Sequence, residues 1–280
     1  MPRALGILEA HPQPFKIMSS PVGLDDTLAL MRDLRRRCEW DAAQTPESLR
    51  PYLIEEAHEL DDAIQSGSDD AMREELGDVL LQVLFHSVIA EERGAFTFAD
   101  VAEGLISKMK ARHPHLYGDG VKRSWEEMKS RKRESLGDGL PRGLPSLHRA
   151  QRLQDRAAGV GFDWPDWHGA AEKVEEELNE AREMLDARDA SDGGIDAPSA
   201  QHDEAITDEL GDLLFACVNL CRKAGVHAAL ALDAANAKFL RRFEGVERLA
   251  RERGLVLRDA SLAEMDALWD EMKRREAAPE

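Results

Sequence analysis

The chain has 280 residues, with 37 Lys and Arg against 55 Asp and Glu, so its formal net charge is −18. That balance argues against general nucleic-acid binding, since no net positive field draws in a phosphate backbone; a small polyanion stays admissible, because a bound divalent ion reverses the local sign. Cys38, Cys217 and Cys221 are too few for a disulfide framework or the usual zinc site, and no run reaches the apolar length of a membrane-spanning helix, so a cytoplasmic protein with no membrane partner is expected.

Residues 1–22 contain Pro2, Pro12 and Pro14 and lack the apolar centre of a signal peptide, so they read as a loose tail. From there on the apolar residues recur at helical spacing, and almost nothing alternates with period two; the chain is expected to be all-α. The first half predicts helices over Asp25–Arg37, Pro46–Gln65, Asp69–Arg93, Phe98–Ala111 and Ser124–Ser135. Thr45 followed by Pro46 and Glu47 is a helix start, with a capping hydroxyl, proline in the first turn and an acid beside the positive end of the dipole. Ser66-Gly67-Ser68 separates one helix pair. The turn-rich run 137–145, with three glycines and two prolines, is expected as a linker between a domain at 23–136 and another at 146–276.

The second half predicts helices near Ser146–Ala158, Trp167–Arg188, His202–Lys223, Val226–Arg251 and Ser261–Arg275. Ala190–Gln201 is small, polar and contains glycine and proline, the composition of a flexible loop between helices.

The two halves match in order. Cys38-Glu39-Trp40-Asp41 answers Gly161-Phe162-Asp163-Trp164, and Glu55-Glu56-Ala57-His58-Glu59 answers Glu176-Glu177-Leu178-Asn179-Glu180. Glu75-Leu76-Gly77-Asp78 answers Glu209-Leu210-Gly211-Asp212, Lys108 and Arg112 answer Lys238 and Arg242, and Trp125 with its neighbours answers Trp269. One helical unit is written twice, the main change being the longer polar loop between the acidic segments of the second copy.

Glu56 with Glu59, Glu75 with Asp78, Glu177 with Glu180 and Glu209 with Asp212 are each three apart, so each pair shares a helix face. If the two helices of a unit pack antiparallel, four carboxylates converge, and hard oxygen ligands in that arrangement suit Mg²⁺ or Mn²⁺. One acidic helix alone reads as solvated surface. Here the apolar runs after Glu75 and Glu209 set Asp78 and Asp212 beside a core-facing stripe, where an acid needs a partner. Gly77 and Gly211 inside these helices imply either a close helix neighbour or room for a ligand. Lys173, Lys238 and Arg242 are cations suited to triphosphate oxygens, with helix salt bridges as the plainer reading. Asn236 offers a polar contact. Trp40 and Trp164 read as core anchors of the entry loops; Trp269 reads equally as a base-stacking platform or as packing. Glu176 stands next to the acidic set as a candidate base for a metal-activated water.

In these features the chain resembles the MazG family of all-α nucleoside triphosphate pyrophosphohydrolases. The phrases that carry the resemblance are Trp40-Asp41, Tyr52-Leu53-Ile54-Glu55-Glu56, Glu75-Leu76-Gly77-Asp78, Arg112-His113-Pro114-His115, Val160-Gly161-Phe162-Asp163-Trp164 and Lys238-Phe239-Leu240-Arg241-Arg242-Phe243. The resemblance runs from about Leu24 to Lys273 and implies a tandem of four-helix-type units. It implies Glu177, Glu180, Glu209 and Asp212 as metal ligands and Lys173, Lys238, Arg242 and Trp269 as nucleotide contacts. Glu56, Glu59, Glu75, Asp78, Lys108 and Arg112 form a possible second site. The implied reaction is NTP plus water to NMP plus pyrophosphate, with Mg²⁺, in a homodimer or higher homo-oligomer acting mainly through the second half. Three other readings are weighed: a non-enzymatic helical regulator, a narrow dUTP or dCTP pyrophosphatase, and a di-iron carboxylate bundle. The last needs Glu-x-x-His on two helices, and Asn179 fills the histidine place in the second half.

Overall fold

The computed structural model describes residues 23–118, 120, 135–191 and 200–277. The 1–22 tail, the segment around Trp125 and the centre of the 190–201 loop lie outside the described residues, as does the helix expected at 124–135 apart from its last residue. Among the described residues there are helices, turns and no strand. The chain divides into two compact units, 1–122 and 123–280.

The first unit contains α1 (Leu24–Arg37), α2 (Glu39–Ala43), α3 (Pro46–Ser66), α4 (Asp69–Glu92), α5 (Phe98–Arg112) and α6 (Pro114–Tyr117). Thr45 caps α3 by accepting from the Ser48 amide, and Pro46 occupies the first turn, where its missing N–H costs nothing. Gly67 ends the helix at φ +69°, a left-handed conformation that glycine adopts without a Cβ clash. Ser68 then caps α4 at once, so α3 and α4 are joined by a two-residue turn and form a hairpin packed along its length. The core of this unit joins α1, α3 and α4 through Leu28, Met31, Leu49, Leu84, Phe85, Val88 and Ile89. Arg32 pairs with Glu91 at 2.9 Å, and Arg35 reaches Glu92 from the same helix, tying α1 to the end of α4.

The second unit contains α7 (Ser146–Ala158), α8 (Trp167–Ser191), α9 (Ala200–Lys223), α10 (Ala228–Glu252), a 3₁₀ turn (Leu257–Asp259) and α11 (Leu262–Ala277). Helices α8 and α9 repeat the hairpin of α3 and α4. α10 pairs with α11 over Val246, Leu249, Ala250, Leu268 and Met272. Gly245 faces the Met272 side chain there: a Cβ on it would lie 2.4 Å from Met272 Cε, which would have to move. α7 packs on both α9 and α10. The turn expected as a linker is held to α7, because Arg156 donates to the carbonyls of Leu136 and Asp138 at 2.6 and 2.9 Å.

The short helices α2 and α6 and the 3₁₀ turn are absent from the expectations above; none is long enough to show a helical hydrophobic period. A second difference concerns the leucine-rich runs. They were expected to face the core, yet Leu76, Leu80, Leu210, Leu214 and Phe215 are exposed while Leu84, Phe85, Ala216 and Val218 are buried. Each run is apolar on two faces of its helix, and the folded unit covers only one of them.

Leu249 is 1% exposed. Leu249→Ala is expected to lower the stability of the second unit by about 2–5 kcal/mol, read from its transition in urea denaturation of the full chain.

Candidate functional site

The α8–α9 hairpin brings carboxylate oxygens of Glu177, Glu180 and Glu209 within 4.8 Å of one another, and the α3–α4 hairpin does the same for Glu56, Glu75 and Asp78. Helical spacing sets Glu177 and Glu180 on one face, and packing of α9 supplies the third acid. These are three of the four acids expected in each unit. Asp212, the fourth of the second unit, is exposed and lines, with Glu177, the cavity described below. Glu59, the fourth acid of the first unit, interacts with Glu56 and Glu75.

The acids are electrostatically frustrated. Burial, then the charges of Glu177 and Glu209, push the Glu180 carboxyl above the ordinary carboxylate range. Burial, then Asp78 and Glu59, do the same to Glu56; burial, then Glu59 and Asp78, do so to Glu75. A cluster that resists ionisation without a counter-charge fits a divalent cation, and an all-oxygen donor set fits Mg²⁺ or Mn²⁺.

The second cluster has something the first lacks. Lys173 lies one turn before Glu177 and reaches it at 2.7 Å, and Glu176 at 2.9 Å. Those two hydrogen bonds hold its ammonium well above the usual lysine range. Glu177 is 5% exposed, so this is a cation set against a buried acid at the edge of the cluster. The corresponding position before Glu56 is Tyr52, whose ring packs edge-on to Trp40 at 6.4 Å. This difference between the copies was readable in the sequence by counting four residues back from each acid, and it was missed there.

Beside the second cluster lies a cavity of about 970 Å³. Lys173, Glu177 and Asp212 line one side of it, and Leu153, Ala157 and Phe215 contribute to its apolar remainder. Trp164 lies on the wall over the start of α8. Gly169 makes that possible, since a Cβ there would fall 2.2 Å from the indole Cδ1. The segment carrying Trp164 is anchored to the end of α9. Lys223 donates to the Trp164 carbonyl at 2.6 Å, and Arg222 and Lys223 both pair with Asp163. Burial raises the Asp163 carboxyl, but the hydrogen bonds from Arg222 and Lys223 outweigh it and hold the group below its ordinary value.

Other expected residues sit elsewhere. Lys238 is exposed on α10, and neither it nor Arg242 nor Trp269 lines the cavity. Arg242 pairs with Glu276 at 2.6 Å and lies 5.9 Å over the Trp269 ring. Trp269 packs against Phe239, with ring centroids 5.3 Å apart. These contacts belong to the packing of the last helix, where Trp269 lies against the α10–α11 core. Lys108 and Arg112 are on α5, which packs on α4; Lys108 is exposed. Trp40 and Trp164 are 54% and 38% exposed, so neither is the core anchor it was expected to be. Gly77 and Gly211 have open space around them, since a Cβ on either meets nothing within 4 Å; close approach of another helix is not their reason. Cys217 and Cys221 are half-buried free thiols.

The fold and the repeated acidic hairpins define an all-α protein built from two copies of a carboxylate-bearing helical unit. A family model described as the MazG nucleotide pyrophosphohydrolase domain matches residues 44–117. The chain is 43% identical over 259 residues to the nucleoside triphosphate pyrophosphohydrolase/pyrophosphatase MazG of Thermotoga maritima, covering 89% of this chain and 95% of that one. It is 40% identical over 268 residues to the nucleoside triphosphate pyrophosphohydrolase of Escherichia coli K12, covering 90% and 98%. It is also 42% identical over 261 residues to the uncharacterized protein YabN of Bacillus subtilis, where it spans 51% of the relative. The chain belongs to the MazG family.

Two outcomes follow from the electrostatics. Glu180→Gln removes like-charge repulsion, so it is expected to raise the melting temperature in a chelator at neutral pH. Asp163 has a depressed folded-state value, so its contribution is present above the unfolded-state value of about 4 and lost as pH falls through the folded one. Asp163→Ala is therefore expected to cost about 1–2 kcal/mol at pH 7, with the difference from the parent closing at acid pH in urea titrations.

Proposed function

We propose that this protein is a divalent-metal-dependent nucleoside triphosphate pyrophosphohydrolase that cleaves between the alpha and beta phosphates of NTPs or dNTPs, using mainly its second unit. The observation that carries the choice of unit is the Lys173–Glu177 pair. It sets a cation at the rim of the acidic cluster and at the wall of a nucleotide-sized cavity, where the first unit has Tyr52. The printed names of the Thermotoga maritima and Escherichia coli relatives support the substrate class.

Glu177, Glu180 and Glu209 hold the metal, with Asp212 one helical turn beyond Glu209 as the further ligand. When bound, Mg²⁺ supplies neutralisation of phosphate charge and a lowered pKa for a water ligand. Lys173 donates its remaining N–H to a phosphate oxygen while keeping its carboxylate partners. Glu176, whose carboxylate the same lysine orients at 2.9 Å, accepts the proton of the attacking water. Attack at the alpha phosphorus releases a nucleoside monophosphate and pyrophosphate. Lys238, Arg242 and Trp269 lie on α10 and α11, outside the cavity of their own chain. Their proposed contact with nucleotide therefore goes with the proposed homodimer or higher assembly, which would also cover the exposed Leu210 and Leu214.

The test is to incubate the protein with each common NTP and dNTP plus Mg²⁺ and separate the products. Monophosphate and pyrophosphate are expected. Glu209→Ala is expected to lower the rate on the order of 100-fold or more, while Glu75→Ala leaves it near the parent value. Diphosphate and orthophosphate would refute alpha cleavage, and the reverse behaviour of the two variants would move the active site to the first unit.

A further inference from the structure

The start of α10 meets α7 through a pair of imidazoles. His227 is the residue before α10, and its ring centroid lies 4.5 Å from that of His148 on α7, the planes tilted by 50°. One turn further along α7, Gln151 Oε1 accepts the Ala228 amide at 3.1 Å, so α7 provides the cap that the His227 side chain does not. Ala228 and Ala229 are buried. His227 Nδ1 is buried too, with no hydrogen-bond partner among the described residues. That suits a neutral imidazole, in which one ring nitrogen carries no proton. An imidazolium donates from both nitrogens, so a second proton would leave a buried N–H unsatisfied. The positive end of the α10 dipole opposes the same charge. Burial, then His148, hold the His227 ring below the usual histidine range, while Asp155 pulls the other way.

The charged groups on the elements that meet here give it little relief. Asp155 is already engaged by Arg152 at 3.0 Å, and Arg149 on the same helix is a further cation. At the end of α9, Arg222 and Lys223 pair with Asp163, and the turn 224–226 that leads to His227 carries no charge. The first charged residue of α10 is Asp233, which is exposed.

We propose that the His148–His227 contact is an acid-sensitive latch that holds α7 on α10. With both rings neutral the helix stays docked; protonation drives the rings apart and loosens it. Because α7 supplies Leu153, Gln154 and Ala157 to the cavity, loosening it opens that wall. The released state takes up protons that the docked state resists. The latch is therefore at full strength above the free-histidine value of about 6.5 and weakens as pH falls from there through the folded-state value. The inference stands on the packing of the second unit and makes no use of the proposed reaction.

Backbone amide exchange of the full chain, followed by mass spectrometry at about pH 7.5 and about pH 5.5 and corrected for the intrinsic rate at each pH, tests it. Peptides from 146–158 and 228–231 are expected to lose protection several-fold on acidification, with about tenfold as the ceiling for one histidine. In His227→Asn, which keeps a neutral residue suited to a helix start, that loss is expected to disappear. In His148→Gln it is expected to shrink by at least half. Melting curves at the higher pH check that each variant is folded; if one is not, the other decides, and the parent comparison stands without either. Unchanged protection in the parent, or a loss as large in a folded variant as in the parent, would overturn the latch. A loss spread evenly over both units would do so as well, since that is general acid destabilisation.

Discussion

Three carboxylate oxygens gathered within 4.8 Å repel one another, and the helical hairpin is the device that keeps them there. At such separation the Coulomb cost is appreciable even in a solvated site. The burial of apolar side chains along α3–α4 and α8–α9 offsets it, because neither acidic helix can retreat without uncovering its core face. The raised proton affinity of Glu56, Glu75 and Glu180 is the visible residue of that conflict. Around it the rest of each unit is arranged. Long helices carry the acids at fixed spacing, and a third helix packs on each pair.

The two copies resolve the conflict differently. In the second unit Lys173 sits at bonding distance from the buried Glu177 and partly neutralises the cluster from one side. Both residues line the cavity, so it presents a cation and an acid already in contact. In the first unit Tyr52 occupies the equivalent turn and packs on Trp40, which in turn lies edge-on to Phe85 at 6.5 Å. That site keeps the acids but offers an aromatic surface in place of the ammonium. A single residue exchange in the register of the helix thus gives one cluster an ammonium where the other has a ring.

The segment from Gly161 to Trp164 shows how packing turns a short sequence into part of a binding wall. Gly161 has φ +90°, so the chain turns sharply there. Asp163 ties the turn to Arg222 and Lys223, and Gly169 leaves space for the indole. Arg222 also orients Asn219, so one arginine links the loop to the polar wall of the cavity. Damage to the Asp163–Arg222 pair would therefore reach the amide geometry without touching the acids.

Much of this was legible in the chain itself, for stated physical reasons. Helical periodicity, the cap at Thr45, the break at Ser66-Gly67-Ser68 and the three-residue spacing of the acids are local properties, and they located the hairpins and the acidic faces to within a few residues. The repeat followed from order alone. What depends on packing between helices was not available. No spacing reveals that Glu177 and Glu180 of α8 meet Glu209 of α9, since that depends on the rotation of α9 against α8. The exposure of Leu210 and Leu214, the occupation of Arg242 by Glu276, and the meeting of Gln154 with Phe215 across 61 residues likewise needed the tertiary structure. The sequence by itself determined which residues share a helix face, because that is fixed by the 3.6-residue turn; only the folded chain decided which faces meet, because that is set by the shape and volume of side chains far apart along it.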